Sequence, residues 1–477
     1  MRESKLTELI CGLSRNELKK FGEFLNSPYH NKSKNIIRLY DFIADNIEEF
    51  ETNTLTREWV AHSVFPDETY NDQNVRTLTS TFTRLIEKFI VYESIENDFY
   101  TYKINLLKSL SSRNLDKSFE MTSNELAEEF KKDFNKDSDY YHYLLTLIER
   151  GIYHKGQDLD INLDGDFYKL SDTADSYFMI NKLKIINSFI SRKSHAFGNV
   201  KMKFWQIDSI FEKIEQDLEK LKTEHPTIYS EYLILMMMLK PKEEKYFTSL
   251  LAYVLKNMKR YTPYELEEVY FSLTNYCINK ISEGKVKFAS SLFKIYKKFE
   301  RFGLYEKMSF IQYTDFLSVV ISGVHLGKMK WVEYFFEKYR AHVSKQFRRD
   351  TVSLAEAVIH FKYKKFDAAM TCLNRVQKRN SYLYIKSKET LIKIYYEKKE
   401  MNLISSQIDS MRHYLKRHQD KLSLHYERYI NFLNLLNQLL KLNPKDKAGI
   451  HQMKKTLTKN INAIGRDWLL EKIEERI

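Results

Sequence analysis

Turn-forming residues are scarce along this chain, and that scarcity restricts the fold more than any motif does. Glycine and proline supply only 12 and 6 of 477 residues, about 4% where soluble proteins average about 12%. A sheet needs Gly, Pro and Asn between its short strands, whereas helices joined by polar residues need little such punctuation. The expected fold class is therefore all-α over the whole length. An apolar fraction of 43%, with 33 Tyr and 31 Phe, supplies enough core for a folded chain and excludes disorder as its main state.

The three cysteines, Cys11, Cys277 and Cys372, are odd in number and widely separated, which suits reduced thiols in the cytoplasm rather than a disulfide framework. The opening residues Met1 to Ile10 lack the uninterrupted apolar core of a signal peptide. The longest apolar run, Tyr232 to Leu239, is about eight residues against the ~20 that span a bilayer, so it is expected to be a buried helix segment. Cytoplasmic location without a membrane span is the expectation.

Charge is unevenly distributed. Residues 1–110 carry 14 Lys/Arg against 17 Asp/Glu, residues 111–235 carry 17 against 22, and residues 236–477 carry 46 against 25. The whole formal excess of +13 thus originates in the C-terminal half, which points to an acidic partner there; a lysine-rich solvated face is the plain alternative.

Three segments are expected. Residues 1–110 read as an N-terminal helical module. Ser14-Arg-Asn-Glu17 is a capping box, followed by the stripe Leu18, Phe21, Phe24, Leu25. Ile36, Ile37, Tyr40, Ile43 and Ile47 mark a second helix. A short helix follows, with Thr56 as N-cap, ending at Phe65. A long one runs from about Asp72 to Tyr92 on Val75, Leu78, Phe82, Leu85 and Phe89. Residues 111–261 form an irregular helical middle, with candidate linkers at 156–166, 192–198 and around Pro226. Pro241 and Pro263 precede helical patterns, where proline suits the first turn. Residues 262–477 hold repeats and capping helices.

The repeats align on the turn inside each helical hairpin. The turns are Ser282 to Lys285, His325 to Lys328, Lys362 to Lys365 and Glu397 to Glu400, and second helices start at Val286, Met329, Phe366 and Met401. With Gly284, Gly327, Lys364 and Lys399 taken as equivalent, the steps are 43, 37 and 35 residues. The unit Leu354-Ala-Glu-Ala-Val-Ile-His-Phe-Lys-Tyr-Lys-Lys-Phe-Asp-Ala-Ala-Met-Thr-Cys-Leu373 resembles a tetratricopeptide repeat, whose period is 34. Ala357 and Ala369 permit close helix packing, Phe366 anchors the turn and Leu373 fills the core. Ala289, Val332 and Ile404 stand where Ala369 does, and the tryptophan and terminal proline of the family pattern are missing. The resemblance covers about residues 262–415 and implies a helical-hairpin solenoid.

In such arrays the first helix of each hairpin lines the concave groove. That register implies Asn275, His325, Lys362, Lys386, Lys393 and Tyr396 as partner-binding residues, the lysines suited to a carboxylate-bearing peptide tail and Tyr396 to its side chains.

Residues 55–90 are similar to the helix pair of winged-helix domains in bacterial transcriptional activators. That resemblance would set Arg76, Thr77, Ser80, Thr83 and Arg84 toward a DNA major groove. The sequence departs from it in having no wing after Tyr92 and a net negative module. Asp160-Ile-Asn-Leu-Asp-Gly-Asp166 opens like an EF-hand loop but has Ser171 where position twelve needs a bidentate glutamate, so a solvated acidic loop capping the next helix is expected. His418 and His425 would share a face only on a continuous helix. No metal-binding or phosphate-loop motif is present. Cys277 and Cys372 fall on apolar faces as core residues. No cofactor and no enzymatic activity are expected. The expectation is an intracellular helical-repeat scaffold binding an acidic protein or peptide, the alternative a nucleic-acid-associated regulator; oligomeric state stays open.

Overall fold

The computed structural model describes residues 5–47, 57–66, 69, 71–133, 136–155, 162–192, 204, 206–419, 422–443, 446–459 and 463–476. Among these residues every regular element is a helix and there is no strand. Two compact units are present, residues 1–133 with 139–175, and residues 134–138 with 176–477. The boundaries expected near 110 and 261 fall inside these units. Ile104 and Leu107 share a buried cluster with Phe119, Leu126 and Phe130 across the first. The Tyr261 hydroxyl bonds Ser230 Oγ at 2.9 Å across the second.

The first unit begins with helices α1 (Lys5–Gly12), α2 (Arg15–Asn26), α3 (Lys34–Asp45) and α4 (Arg57–Val64). The Ser14/Glu17 capping box forms, with Ser14 Oγ accepting from the Glu17 amide at 3.2 Å and Glu17 Oε2 accepting from the Ser14 amide at 2.8 Å. Helix α5 (Asp72–Asn97) outruns its expected end at Tyr92, and buries Val75, Leu78, Phe82, Leu85, Ile86 and Phe89. These pack with Phe21, Leu25, Ile36, Leu39 and Ile43 in one core, each large apolar side chain contributing roughly 1.5–3 kcal/mol of burial. The proposed cap Thr56 lies outside the described residues. Helices α6 (Phe99–Ser111), α7 (Asp116–Phe130) and α8 (Ser138–Lys155) follow, then α9 (Asp164–Arg192), within which the two units divide. Of the EF-hand-like loop, Asp160 and Ile161 lie outside the described residues. Asn162 Oδ1 accepts from the Asp164 amide at 2.9 Å, capping α9.

The second unit continues with α10 (Ile207–Gln216), α11 (Leu218–Glu224), α12 (Pro226–Leu239) and α13 (Lys245–Asn257). Pro226 is no linker, because it opens α12, and residues 226–237 are buried on every face. The apolar run Tyr232 to Leu239 is therefore a core helix, and no helix among the described residues is long and apolar enough to cross a membrane. Pro263 takes the first turn of its helix beside a Thr262/Glu265 capping box, but Pro241 precedes α13 by several residues. Its carbonyl accepts from the Tyr276 hydroxyl instead, at 3.0 Å.

Four helical hairpins come next: α14 (Pro263–Ser282) with α15 (Lys287–Arg301); then, after the short α16 (Leu304–Lys307), α17 (Tyr313–His325) with α18 (Met329–Tyr339); α19 (Arg348–Lys362) with α20 (Phe366–Leu373); and α21 (Ser381–Glu397) with α22 (Met401–Arg417). Their turns are built alike. Gly284, Gly327, Lys364 and Lys399 all take left-handed φ, between 58° and 86°. Each donates its amide to the carbonyl three residues back, and the next residue donates to the carbonyl five back, as from Lys365 to His360 and Glu400 to Tyr395. This is the Schellman closure of a helix end. The 43-residue first step accommodates α16 and the chain to Ile311, which bridges Val343.

Neighbouring hairpins touch, α15 packing on α17, α17 on α19 and α19 on α21. Small residues set the approach, with Ala357 and Ala369 fully buried. A Cβ added to Gly323 of α17 would clash with Val332 Cγ2 of α18. Helices α23 (Ser423–Lys441), α24 (Lys447–Lys459) and α25 (Arg466–Glu474) close the chain, seating Phe432, Leu436, Trp468 and Leu469 in a core shared with Ile392 and Ile404.

Candidate binding surface

The six residues expected to line a groove separate into two groups. Asn275 and Lys362 are exposed. The other four are engaged from within the chain. His325 Nε2 lies 2.9 Å from Asp467 Oδ2 at the start of α25. The Tyr396 hydroxyl accepts from Arg476 at 2.9 Å, and its ring meets Trp468 edge-on at 5.2 Å. Lys386 and Lys393, one turn to either side of Glu389 on α21, bond its two oxygens at 2.7 and 2.5 Å. Glu389 is 1% exposed and the lysines are mostly covered. Burial works to raise the Glu389 carboxyl, but the two ammonium groups outweigh it and hold it down at about 2. The structure thus draws Lys386 and Lys393 into a buried triad, because lysines at −3 and +4 converge on a carboxylate of the same helix, while Tyr396 and, through an exposed pair, His325 hold the C-terminal segment that carries α25.

On α5 the face carrying Arg76, Thr77, Ser80 and Arg84 is exposed, with Thr83 half-buried. Arg76 is held by Asp72 at 2.6 Å. The Thr77 and Thr83 hydroxyls donate to the carbonyls of Gln73 and Thr79. The helix after α5 is α6, so no strand follows it as a wing. The premise for His418 and His425 fails as well, since α22 ends at Arg417 and His418 turns its Nδ1 to the Tyr414 carbonyl at 3.0 Å.

A different basic surface emerges between α13 and α15. Leu251, Leu255 and Ile295 floor a groove of about 270 Å³, rimmed by Lys294, Lys297, Lys298 and Arg301. The four cations stand at i, i+3, i+4 and i+7, a single stripe of α15, and Leu251 and Leu255 at i, i+4 make the opposing apolar wall. Among the described residues none of the four forms an ion pair. The one carboxylate within their run, Glu300, is turned inward to Lys338 at 3.1 Å and the Tyr334 hydroxyl at 2.8 Å. The signal was present in the sequence as Lys294-Ile-Tyr-Lys-Lys-Phe-Glu-Arg301. A second hollow of about 450 Å³ lies beside α21, where Lys378 and Lys388 both stand over the Tyr384 ring at 5.7 and 5.5 Å. Burial, then the charge of Lys378, pull Lys388 below its ordinary value.

Two clusters of titratable groups sit elsewhere in the second unit. Tyr270, Tyr305 and Asp315 form a buried hydrogen-bonded set. On the third hairpin, Glu356 and His360, one turn apart on α19, approach to 3.8 Å. Cys372 of α20 brings its Sγ to them, so that the three donor atoms all lie within 4.8 Å of one another. Burial and Glu356 push the Cys372 thiol up to about 11, and burial pushes Cys277 to about 12, the opposite of what an activated nucleophile requires. No protein-family model, no curated protein and no solved structure matches this chain.

Proposed function

We propose that the chain is a non-enzymatic helical-repeat scaffold, its hairpins a tetratricopeptide-like solenoid, which takes an acidic amphipathic segment of a protein partner into the groove between α13 and α15. The observation that carries this is the stripe Lys294, Lys297, Lys298, Arg301 beside the apolar floor of Leu251, Leu255 and Ile295. Four cations that form no ion pair among the described residues, set along one helix face, match a helix that places Asp or Glu beside Leu or Phe. The solenoid reading is supported by the four like turns and by the contacts between successive hairpins. The reading as a binder is supported by thiols whose protons are held rather than shed. A reducing, intracellular setting suits three cysteines that form no disulfide among the described residues.

The test is fluorescence anisotropy with a labelled helical peptide alternating Glu and Leu faces, run beside a generic DNA duplex. Binding of the peptide, weakened about tenfold or more by Lys294→Glu with Lys298→Glu, is the expected result. DNA binding that falls steeply with salt, with no peptide binding, overturns it in favour of a nucleic-acid regulator.

A further inference from the structure

We infer that Glu356, His360 and Cys372 form a zinc site: a carboxylate, an imidazole and a thiolate from one helical hairpin, with the fourth position open to water or to a partner's side chain. This does not rest on the basic groove, which lies on other helices.

The geometry is close to a coordination sphere. Tetrahedral Zn²⁺ with bonds of about 2.0–2.3 Å keeps its ligand atoms roughly 3.3–3.8 Å apart. His360 Nε2 and Glu356 Oε1 are already 3.8 Å apart, and the whole donor set lies within 4.8 Å. Glu356 and His360, whose side chains would close the remainder, are both half-buried rather than locked in the core. Cys372 is the fixed member, 4% exposed on a helix whose neighbouring Ala369 packs without exposure.

The backbone places the three together for definable reasons. Glu356 and His360 at i, i+4 share the face of α19 that looks onto α20. The Schellman turn at Lys364, which receives the His360 carbonyl through the Lys365 amide, folds α20 back so that Cys372 returns to the level of that pair. Ala357 and Ala369 let the helices approach closely.

The donor chemistry selects the ion. A thiolate with an imidazole disfavours Mg²⁺ and Ca²⁺, which take oxygen shells, and the mixed S, N, O set at four-coordination is that of Zn²⁺. Binding exchanges the Cys372 thiol proton for the metal: the S–H bond is lost, the proton goes to solvent, and a Zn–S bond forms with no change in oxidation state. Three protein ligands and an open position describe a site that a partner's carboxylate or histidine can complete.

The experiment uses the full chain, stripped with chelator, carrying Cys11→Ser to remove the one exposed thiol. Zinc is titrated against a chromogenic chelator, and Co²⁺ serves as the spectroscopic probe. The expected result is one Zn²⁺ per chain, a thiolate-to-cobalt charge-transfer band, and a rise in melting temperature on zinc addition. His360→Gln should weaken zinc at least about tenfold and Cys372→Ala should abolish the cobalt band. His360 is half-buried rather than locked in the core, and circular dichroism of His360→Gln separates lost binding from lost folding. Absence of the cobalt band in the folded parent, or zinc affinity unchanged in His360→Gln, overturns the site.

Discussion

The Tyr270 hydroxyl stands 3.1 and 3.2 Å from the two carboxylate oxygens of Asp315, inside a core where the Tyr305 hydroxyl approaches Tyr270 at 2.7 Å. Burial pushes the Asp315 carboxyl up to about 7, the Tyr270 hydrogen bond pulling it down only in part and Glu267 adding to the rise. The unfolded value is near 3.9. A folded-state pKa above the unfolded one means that the protonated form favours folding: its contribution is complete below about pH 4 and is lost as pH rises through about 7. Asp315→Asn should flatten that slope and leave the variant more stable than the parent at about pH 8. Urea unfolding midpoints at about pH 5 and about pH 8 check it; Glu231, also pushed up to about 7 by burial, keeps a residual slope. Equal slopes in variant and parent would sink the prediction.

Glu389 has the opposite sign. Its carboxyl is held near 2 by Lys386 and Lys393 against the effect of burial, so its contribution to stability is present above the unfolded value of about 4.3 and lost as pH falls toward about 2. Glu389→Gln leaves two mostly buried ammonium groups without their counter-charge, a loss expected to cost about 3–5 kcal/mol. Replacing the pair around it as well, with Lys386→Met and Lys393→Met on the Gln background, should recover much of that loss. Guanidinium unfolding of the parent and the two variants decides it, and a Gln variant as stable as the parent would show that the triad is not held as described.

The four hairpin turns offer a paired experiment. Lys364 and Lys399 sit at φ 58° and 60°, where Gly284 and Gly327 have 86° and 67°, and a side chain in this region costs about 1 kcal/mol or somewhat more. Lys364→Gly and Lys399→Gly should each therefore raise stability by about 0.5–1 kcal/mol, while Gly327→Ala lowers it by a similar amount. Gly323→Ala is a harsher change, since its Cβ would meet Val332 Cγ2 and overpacking costs about 1–3 kcal/mol. Thermal unfolding of the four single variants checks both the signs and the order.

Those turns also mark what was legible in the sequence. Gly284 and Gly327 are equivalent to Lys364 and Lys399 because each follows an apolar helical stripe and precedes another, and local backbone chemistry fixes such positions. The starts of α18, α20 and α22 at Met329, Phe366 and Met401 were readable for the same reason. Side-chain destinations were harder. A lysine on a helix face reads as solvent-facing, and only its neighbours at three and four residues disclose otherwise: Lys386, Glu389 and Lys393 carried that spacing. Lys294, Lys297, Lys298 and Arg301 also formed a stripe in the sequence, but its apolar counterpart, Leu251 and Leu255, lies on a helix some forty residues earlier. Cys372 joins Glu356 and His360 through the turn at Lys364, and Asp315 meets Tyr270 from another hairpin. Contacts made between helices leave no periodic trace.

Trp468 tests how firmly α25 closes the chain. It is 6% exposed, donates its indole Nε1 to Glu397 Oε1 at 3.1 Å, and meets the Tyr396 ring at 5.2 Å, with Lys393 Nζ 5.7 Å above its own ring. Removing the side chain opens a cavity beside Phe432 and leaves Lys393 with Phe432 in place of two aromatic neighbours, so Trp468→Ala should cost about 3–5 kcal/mol. Trp468→Phe keeps most of the packing and loses the bond to Glu397. That carboxylate retains Lys472 at 2.8 Å, so the loss should be only about 1 kcal/mol. Urea unfolding followed by circular dichroism separates the two. If Trp468→Ala costs no more than Trp468→Phe, α25 does not contribute to the core of the last hairpins, and the engagement of His325, Lys393 and Tyr396 by the C-terminal helix would have to be given up with it.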